Sequence, residues 1–261
     1  MTRIYPGDAE PLDGPRRFKS SLQSAAPRPA REGERLLRVL TIFIAAGSLL
    51  FASPAMSQPP NLGDLKAELT SYHDFGGYER ELAAADSAAR AYLDAHVRHG
   101  HKPAIVLDID ETSLSNWVEI KADDFGYVPG GACAQLPAGP CGALAWDTLS
   151  LASGIAPTLA LFNDAKSKRV AVFFVTGRHE AERAVTEKNL TNAGFHGWAK
   201  LLMEPDGAKF ASASDFKAPE RGKIVAEGYE ILVNVGDQPS DLLGGFADHA
   251  FLLPNPFYRI P

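Results

Sequence analysis

The sequence predicts an α/β fold in which helices cover both faces of a parallel sheet. Short apolar runs alternate with longer segments of helical pattern along residues 62–261, an order typical of parallel sheets. Three of the apolar runs end in polar sequences, DIDET, TGR and GDQPSD, and the carboxyl ends of parallel strands share one edge of a sheet. The chain of 261 residues is long enough for one good-sized domain and an appendage.

The individual elements follow from apolar periodicity and from the residues that begin and end helices. The predicted helices cover residues 62–72, 77–99, 113–122, 157–168, 179–193 and 216–227. The predicted strands are the apolar runs 104–107, 170–175, 230–235 and 249–253. We therefore expect a single domain over 58–261, with an N-terminal helical extension over 62–100 and only a small cap insertion over 113–156.

Residues 1–57 have the pattern of a signal peptide with a long basic n-region. Residues 1–38 contain 8 Lys and Arg against 5 Asp and Glu, and the segment 39–52, VLTIFIAAGSLLFA, is uncharged. This segment is short for a membrane span and suits an h-region, and small residues follow it before Gln58. We expect an exported protein, periplasmic or secreted, with no stable membrane insertion after cleavage; an uncleaved N-terminal anchor is the alternative.

The remainder of the chain is acidic. Residues 58–261 hold the other 18 basic and 27 acidic side chains, a net charge of −9. Such a body repels phosphate backbones, so the composition argues against a nucleic acid polymer as partner.

Two cysteines are too few for a disulfide scaffold, and the absence of a CxxC sequence argues against a structural zinc site. Cys133 and Cys141 lie eight residues apart in GGACAQLPAGPCGA. In an oxidising compartment this pair would close a small loop as a disulfide, whereas in the cytosol both would remain free thiols.

Carboxylates follow two of the predicted strands, Asp108 and Asp110 after the first and Asp237 and Asp241 after the third. Crowded into one crevice, they would repel one another unless a cation were bound. Hard oxygen ligands with open coordination positions favour Mg²⁺, which also takes phosphate oxygens.

Complementary groups occur in the same predicted crevice. Thr176 supplies a hydroxyl and Lys217 a positive charge, and together with backbone N–H groups they describe a phosphate site. A carboxylate nucleophile facing that phosphate could form an aspartyl-phosphate, and a second carboxylate two residues along could transfer the protons.

In this order the motifs resemble those of the haloacid dehalogenase (HAD) superfamily of phosphotransferases. Within it, the sequence is similar to the subfamily IIIB acid phosphatases, which include plant acid phosphatases and vegetative storage proteins. The similarity rests on LDIDETSLSN (107–116), on residues 161–198 around VFFVTGRH, on residues 215–245 from DFKAPERG to GDQPSDLLGG, and on LPNPFYRI (253–260).

The resemblance implies a three-layer Rossmann-like fold and a Mg²⁺-dependent acid phosphatase acting on small-molecule phosphomonoesters. By matching position, Asp108 is the nucleophile and Asp110 the general acid/base. Asp108, Asp237 and the backbone carbonyl of Asp110 would hold the metal ion, with Asp241 contributing through water. A homodimer is a further expectation from the relatives.

The resemblance also implies a phosphoryl-binding set of Thr176, Gly177 and Lys217. Lys209 and Lys223 compete with Lys217 for this role, but Lys217 begins the predicted helix that leads into the third motif-bearing strand. The role of Arg178 stays open between a substrate contact and an ion pair with Glu182.

Three other functions are compatible with parts of this pattern. They are a phosphotransferase that uses an alcohol as acceptor on the same site, a weakly active storage or binding protein, and a two-component receiver. The intact pair of Asp108 and Asp110 argues against the storage protein. Export and an acid/base beside the phosphorylated residue argue against the receiver, which must retain its phosphate.

Overall fold

The computed structural model describes residues 58–98 and 100–260, and its centre is a five-stranded parallel sheet. The strands are β1 (Pro103–Leu107), β2 (Leu114–Ser115), β3 (Ser153–Gly154), β4 (Ala171–His179), β5 (Lys200–Glu204), β6 (Glu230–Gly236) and β7 (His249–Leu252). The order in the sheet is β5-β4-β1-β6-β7, so β1 is central, while β2 and β3 form a separate antiparallel pair.

Helices lie on both faces of the sheet. They are α1 (Leu62–Asp74), α2 (Gly77–His96), α3 (Trp117–Ala122), α4 (Ala143–Leu149), α5 (Ala156–Ser167), α6 (Arg183–Asn192), α7 (Ala213–Ala226) and α8 (Pro239–Leu242), with a 3-10 turn at Glu180–Glu182. Successive residues of β1 point to opposite faces. Ile105 and Leu107 join the large core cluster with residues of α2 and α5, and Ala104 and Val106 join a smaller cluster with residues of α7. This is the three-layer α/β arrangement predicted from the sequence.

The N-terminal helical extension is part of one of these layers. Leu82, Ala89 and Leu93 lie on one side of α2 and are buried in the large core cluster. The same helix contacts α5, where the Thr158 hydroxyl donates a hydrogen bond to Asp86 at 2.9 Å. Helix α2 therefore packs with α5 in the helical layer on one face of the sheet.

The structure differs from the predicted elements in five places. The helix predicted over 179–193 begins only at Arg183, because β4 continues to His179 and a 3-10 turn follows it. Residues 114–115 form a strand because they pair with 153–154, so the helix predicted over 113–122 begins only at Trp117. Helix α4 begins at the end of the cysteine-bearing loop, and no predicted element covers its residues. No predicted element covers the edge strand β5, and α7 begins at Ala213, before the predicted start at residue 216, because Ser212 caps it.

The predicted signal peptide, residues 1–57, lies outside the described residues. Among the helices at residues 58–98 and 100–260, none combines the length and apolar character needed to cross a membrane.

Candidate active site

The three polar motifs lie side by side at the carboxyl edge of the sheet. Leu107, the last residue of β1, is paired with Phe174 of β4 on one side and Val235 of β6 on the other. The next residue is Asp108, and its backbone N–H donates a hydrogen bond to the Val235 carbonyl at 3.0 Å. Sheet register therefore places the DIDET segment between the TGR and GDQPSD segments.

Lys217 lies in the first half of α7 and reaches into this edge from the smaller helical layer. Its Nζ is 2.5 Å from Oδ1 of Asp108 and 2.6 Å from Oδ1 of Asp241, and all three side chains are buried. The two competing lysines lie elsewhere: Lys223 pairs with Glu220 at 2.5 Å, and Lys209 is exposed in the loop before α7. The structure thus brings the preferred lysine to the carboxylates.

Asp237 completes a group of three buried carboxylates. One oxygen from each of Asp108, Asp237 and Asp241 lies within 4.8 Å of the others. The Asp237 carboxylate accepts hydrogen bonds from the side chains of Gln238 at 2.6 Å and Asn255 at 2.7 Å. The Thr112 hydroxyl contributes a third bond at 3.2 Å, so the orientation of Asp237 is fixed by side chains from three segments.

The electrostatics of this group leave negative charge uncompensated. Burial raises the pKa of Asp108 well above its ordinary value, with the Lys217 charge acting in the opposite direction. Burial and then the nearby Asp241 raise the pKa of Asp237 to about 7. The Lys217 ammonium group pairs with Asp108 and Asp241 but not with Asp237, and the oxygens of all three carboxylates converge in a set that suits a hard divalent cation. The residues present therefore fit a metal ion.

Asp110 lies in a different environment from Asp108. Arg178 donates to it from Nε at 3.1 Å and from Nη2 at 2.6 Å, and the Asn116 amide donates at 2.8 Å. Burial alone would raise the pKa of Asp110, but the charge and hydrogen bonds of Arg178 lower it below its ordinary value. The two carboxylates of the DID sequence therefore have pKa values moved in opposite directions, a pattern common at acid–base sites.

Arg178 does not make the Glu182 ion pair considered from the sequence. Its Nη2 bridges Asp110 and Asp147, the latter at 2.8 Å, and its side chain is only 4 % exposed. Its backbone N–H donates to the hydroxyl oxygen of Thr176 at 3.1 Å.

Thr176 and Gly177 lie in the last part of β4, where the pairing with β5 is regular as far as Thr176 and then shifts. Thr176 is fully buried, whereas Gly177 is exposed and open on its side-chain face except for Glu204, 3.7 Å from where a Cβ would lie. These two residues and Lys217 thus approach the edge from two different elements, as a phosphoryl-binding set would require.

Residues near the C-terminus also support the DIDET loop. Glu111 adopts a φ of 51°, and its carboxylate accepts hydrogen bonds from the Tyr258 hydroxyl at 2.7 Å and from the Asn116 backbone at 2.6 Å. With Asn255 bonded to Asp237, the LPNPFYRI segment contacts two of the three motif-bearing loops. The resemblance of this segment to the family predicted no role for its individual residues.

The cysteine loop lies beside the same region. Cys133 and Cys141 are joined by a disulfide, and Cys141 is buried with its N–H donating to Asp123 at 2.6 Å. The next residue, Gly142, caps the N-terminus of α4.

Comparison with known proteins gives a consistent result. The family described as HAD superfamily, subfamily IIIB (Acid phosphatase) matches residues 143–261. The chain is 32 % identical over 186 residues to "Acid phosphatase 1" of Solanum lycopersicum, covering 70 % of each chain. It is 34 % identical over 175 residues to "Stem 28 kDa glycoprotein" of Glycine max, covering 66 % of each. Among solved structures, the class C acid phosphatase from Bacillus anthracis aligns with a TM-score of 0.58 at 21 % identity, over 76 % of this chain and 86 % of that one, which supports the fold.

Proposed function

The chain belongs to subfamily IIIB of the HAD superfamily, the acid phosphatases, and is a phosphomonoesterase of that type; we propose that it acts with Mg²⁺ through an aspartyl-phosphate on Asp108. The observation that carries the proposal is the position of Lys217 between Asp108 and Asp241, with an Asp237 oxygen within 4.8 Å of theirs. The nucleophile, the positively charged side chain that binds the phosphate and the metal ligands would then lie together in one buried cluster.

Asp108 is the nucleophile in this proposal. A carboxylate oxygen attacks phosphorus and forms an O–P bond while the bond between phosphorus and the ester oxygen breaks. Water then attacks the same phosphorus, the O–P bond to Asp108 breaks, and phosphate leaves. Two easier displacements replace one difficult displacement.

Asp110 carries the protons in both steps. It donates a proton to the departing ester oxygen and later removes one from the attacking water. Arg178 favours the ionised form of Asp110 before the substrate binds. Binding of the anionic phosphoryl group would therefore have to raise the proton affinity of Asp110. The same ionised form suits the second step, in which Asp110 accepts a proton.

The metal ion would be held by Asp108, Asp237 and the backbone carbonyl of Asp110, with Asp241 contributing through water. When bound, Mg²⁺ would neutralise carboxylate charge and orient a phosphate oxygen. Lys217 would move from Asp108 to the phosphoryl group.

Thr176 and Gly177 complete the proposed phosphoryl site. The Thr176 hydroxyl belongs to the TGR segment, where it accepts the Arg178 N–H, so its own proton is available to a phosphate oxygen. The exposed Gly177 leaves its backbone accessible to ligand.

The substrates are small-molecule phosphomonoesters, and we further propose that the protein is exported. Export rests on the sequence of residues 1–57 and is supported by the disulfide between Cys133 and Cys141. Cell fractionation with N-terminal sequencing tests it: a mature protein beginning near Gln58 outside the cytoplasm is expected. An intact N-terminus in the membrane fraction would favour the anchored alternative, and cytoplasmic protein would contradict export.

The activity is tested by phosphate release from p-nitrophenyl phosphate with Mg²⁺ and with EDTA. We expect turnover that requires the metal and is lost in Asp108→Asn. The matched control is Asp164→Asn, since the Asp164 side chain is also largely shielded, 16 % exposed against 7 % for Asp108, but forms its ion pairs with Arg90 and Lys168, away from the three motifs. Equal turnover in Asp108→Asn and wild type would contradict the nucleophile, and full activity in EDTA would contradict the metal.

A further inference from the structure

Helix α4 lies in the small insertion between the first two motifs and contributes two adjacent side chains to the surroundings of Asp110. The first is Asp147, whose Oδ1 is 2.8 Å from Nη2 of Arg178. The same Nη2 is 2.6 Å from Oδ1 of Asp110. One guanidinium group therefore connects α4 to the proposed acid/base.

The second side chain is Trp146. Its indole Nε1 donates a hydrogen bond to Oδ1 of Asn116 at 2.8 Å. The amide of Asn116 in turn donates to Oδ1 of Asp110 at 2.8 Å. The indole bond orients that amide with its N–H₂ group toward Asp110, because the amide oxygen is already engaged.

Both connections are shielded from water. Trp146 is 3 % exposed, and the side chains of Arg178 and Asp147 are 4 % and 17 % exposed. Hydrogen bonds and ion pairs in such surroundings restrict orientation more strongly than exposed ones. Neither α4 residue is placed among the metal ligands or in the phosphoryl-binding set.

Helix α4 is itself anchored at both ends. At its start, the Ala143 N–H donates to the Val128 carbonyl at 2.8 Å, and Gly142 packs so closely on Gly131 that a Cβ would lie 2.6 Å from its carbonyl oxygen. At its end, the Ser150 hydroxyl donates to the Val185 carbonyl at 3.0 Å. The position of the helix is therefore set by the rest of the fold.

We propose that α4 positions Asp110 for proton transfer, with Asp147 acting through Arg178 and Trp146 acting through Asn116. The inference rests on the proposed role of Asp110 and deepens it by assigning two positioning residues. Holding Asp110 from two directions fixes its carboxylate relative to the departing oxygen of the ester.

A leaving-group comparison separates this role from a general structural role. Protonation of the departing oxygen matters most for an alkyl phosphate, whose alkoxide is a poor leaving group. It matters least for p-nitrophenyl phosphate, whose phenolate leaves readily. A displaced Asp110 should therefore lower kcat/KM for the alkyl substrate selectively, whereas a fraction of unfolded enzyme would lower both values equally.

The experiment measures kcat/KM for glycerol phosphate and p-nitrophenyl phosphate with the full chain. For Asp147→Asn we expect a loss of about tenfold with glycerol phosphate and less than about twofold with p-nitrophenyl phosphate, since small displacements of a catalytic group are costly. Trp146→Phe removes the indole N–H together with part of the ring, keeps an aromatic side chain, and should show the same selectivity. Asp164→Asn is the control for loss of a shielded, ion-paired carboxylate and should show no selective loss of kcat/KM for glycerol phosphate.

Asp110→Asn separates failure of this inference from failure of the proposed function. Suppose that Asp110→Asn lowers kcat/KM more for glycerol phosphate than for p-nitrophenyl phosphate, while Asp147→Asn and Trp146→Phe lower both values equally or not at all. Asp110 is then the acid, and positioning by α4 is overturned. If Asp110→Asn lowers kcat/KM for the two substrates equally, Asp110 is not the acid, and the inference about α4 fails with that role. In support, adding Asp147→Asn to Asp110→Asn should lower neither value further. Asp147→Glu retains the charge and should recover part of the kcat/KM for glycerol phosphate that Asp147→Asn loses. If Asp147→Asn does not fold, Asp147→Glu and Trp146→Phe decide whether α4 positions Asp110.

Discussion

Asp86 provides a prediction about stability that can be worked from the structure. This carboxyl is 1 % exposed on the inner side of α2, and one oxygen accepts the Thr158 hydroxyl while the other has no hydrogen-bond partner among the described residues. Burial raises its pKa from 3.8 to about 6, with the Thr158 hydrogen bond acting in the opposite direction. The folded protein therefore binds this proton more tightly than the unfolded chain does.

The sign and magnitude follow from proton linkage. Below about pH 4 the carboxyl is neutral in both states and carries no penalty. Between its unfolded and folded pKa values, the folded state retains a proton that the unfolded state has lost, so the free energy of unfolding falls as pH rises. At about 1.4 kcal/mol for each pH unit, the loss is about 3 kcal/mol and is complete above about pH 6.

The assay is urea unfolding of the full chain at intervals from pH 4 to pH 7, with linear extrapolation to water. Asp86→Asn cannot ionise, so its free energy of unfolding should fall by about 3 kcal/mol less than that of wild type across this range. Thr158→Val removes the hydrogen bond that favours the ionised form, and it should move the loss to higher pH. Identical pH dependence in wild type and Asp86→Asn would refute the reasoning.

Three further predictions concern the disulfide, the lysine and the metal. Replacing Cys133 and Cys141 with serine should lower the free energy of unfolding by ~2.5 kcal/mol, from the chain entropy of so short a loop, and an unchanged urea midpoint would contradict this. Lys217→Met should lower kcat/KM for p-nitrophenyl phosphate by about 10²-fold, as loss of a charge-stabilising group does, whereas Lys223→Met should not; equal effects would argue against the Lys217 assignment. Mg²⁺ should raise the thermal midpoint of the wild type, because a ligand that binds only the folded state stabilises it, and Asp237→Asn should lose this shift; a midpoint in wild type that does not respond to Mg²⁺ would contradict the metal site.

The sheet and the convergence of the motifs were predictable because both depend on local signals. A buried run such as 104–107 followed by DIDET predicts a strand whose end carries function, and sheet topology then places Asp108 beside the other strand ends. Strand β5 was missed because its five residues, KLLME, begin and end with charged side chains. Its pairing with β4 determines its structure, and such a contact has no local signature.

The surroundings of Asp110 were less predictable for the same reason. Arg178 belongs to the TGR motif, but its partner Asp147 lies 31 residues before it, in the small insertion predicted over 113–156. No periodic pattern relates the two positions. Asn255 was quoted within LPNPFYRI, yet its bond to Asp237 depends on how the chain returns to the sheet after β7.

The most direct test of the account is whether a phosphoryl group becomes covalently attached to Asp108 during turnover. The full chain is mixed with p-nitrophenyl phosphate and Mg²⁺, quenched in acid and mapped by mass spectrometry, in wild type and in Asp110→Asn. Asp110→Asn should slow attack by water and let the phosphorylated enzyme accumulate. We expect a phosphorylated peptide that contains Asp108, enriched in Asp110→Asn and missing from Asp108→Asn. A phosphoryl group on another residue, or turnover with no phosphorylated enzyme in Asp110→Asn, would contradict an aspartyl-phosphate on Asp108.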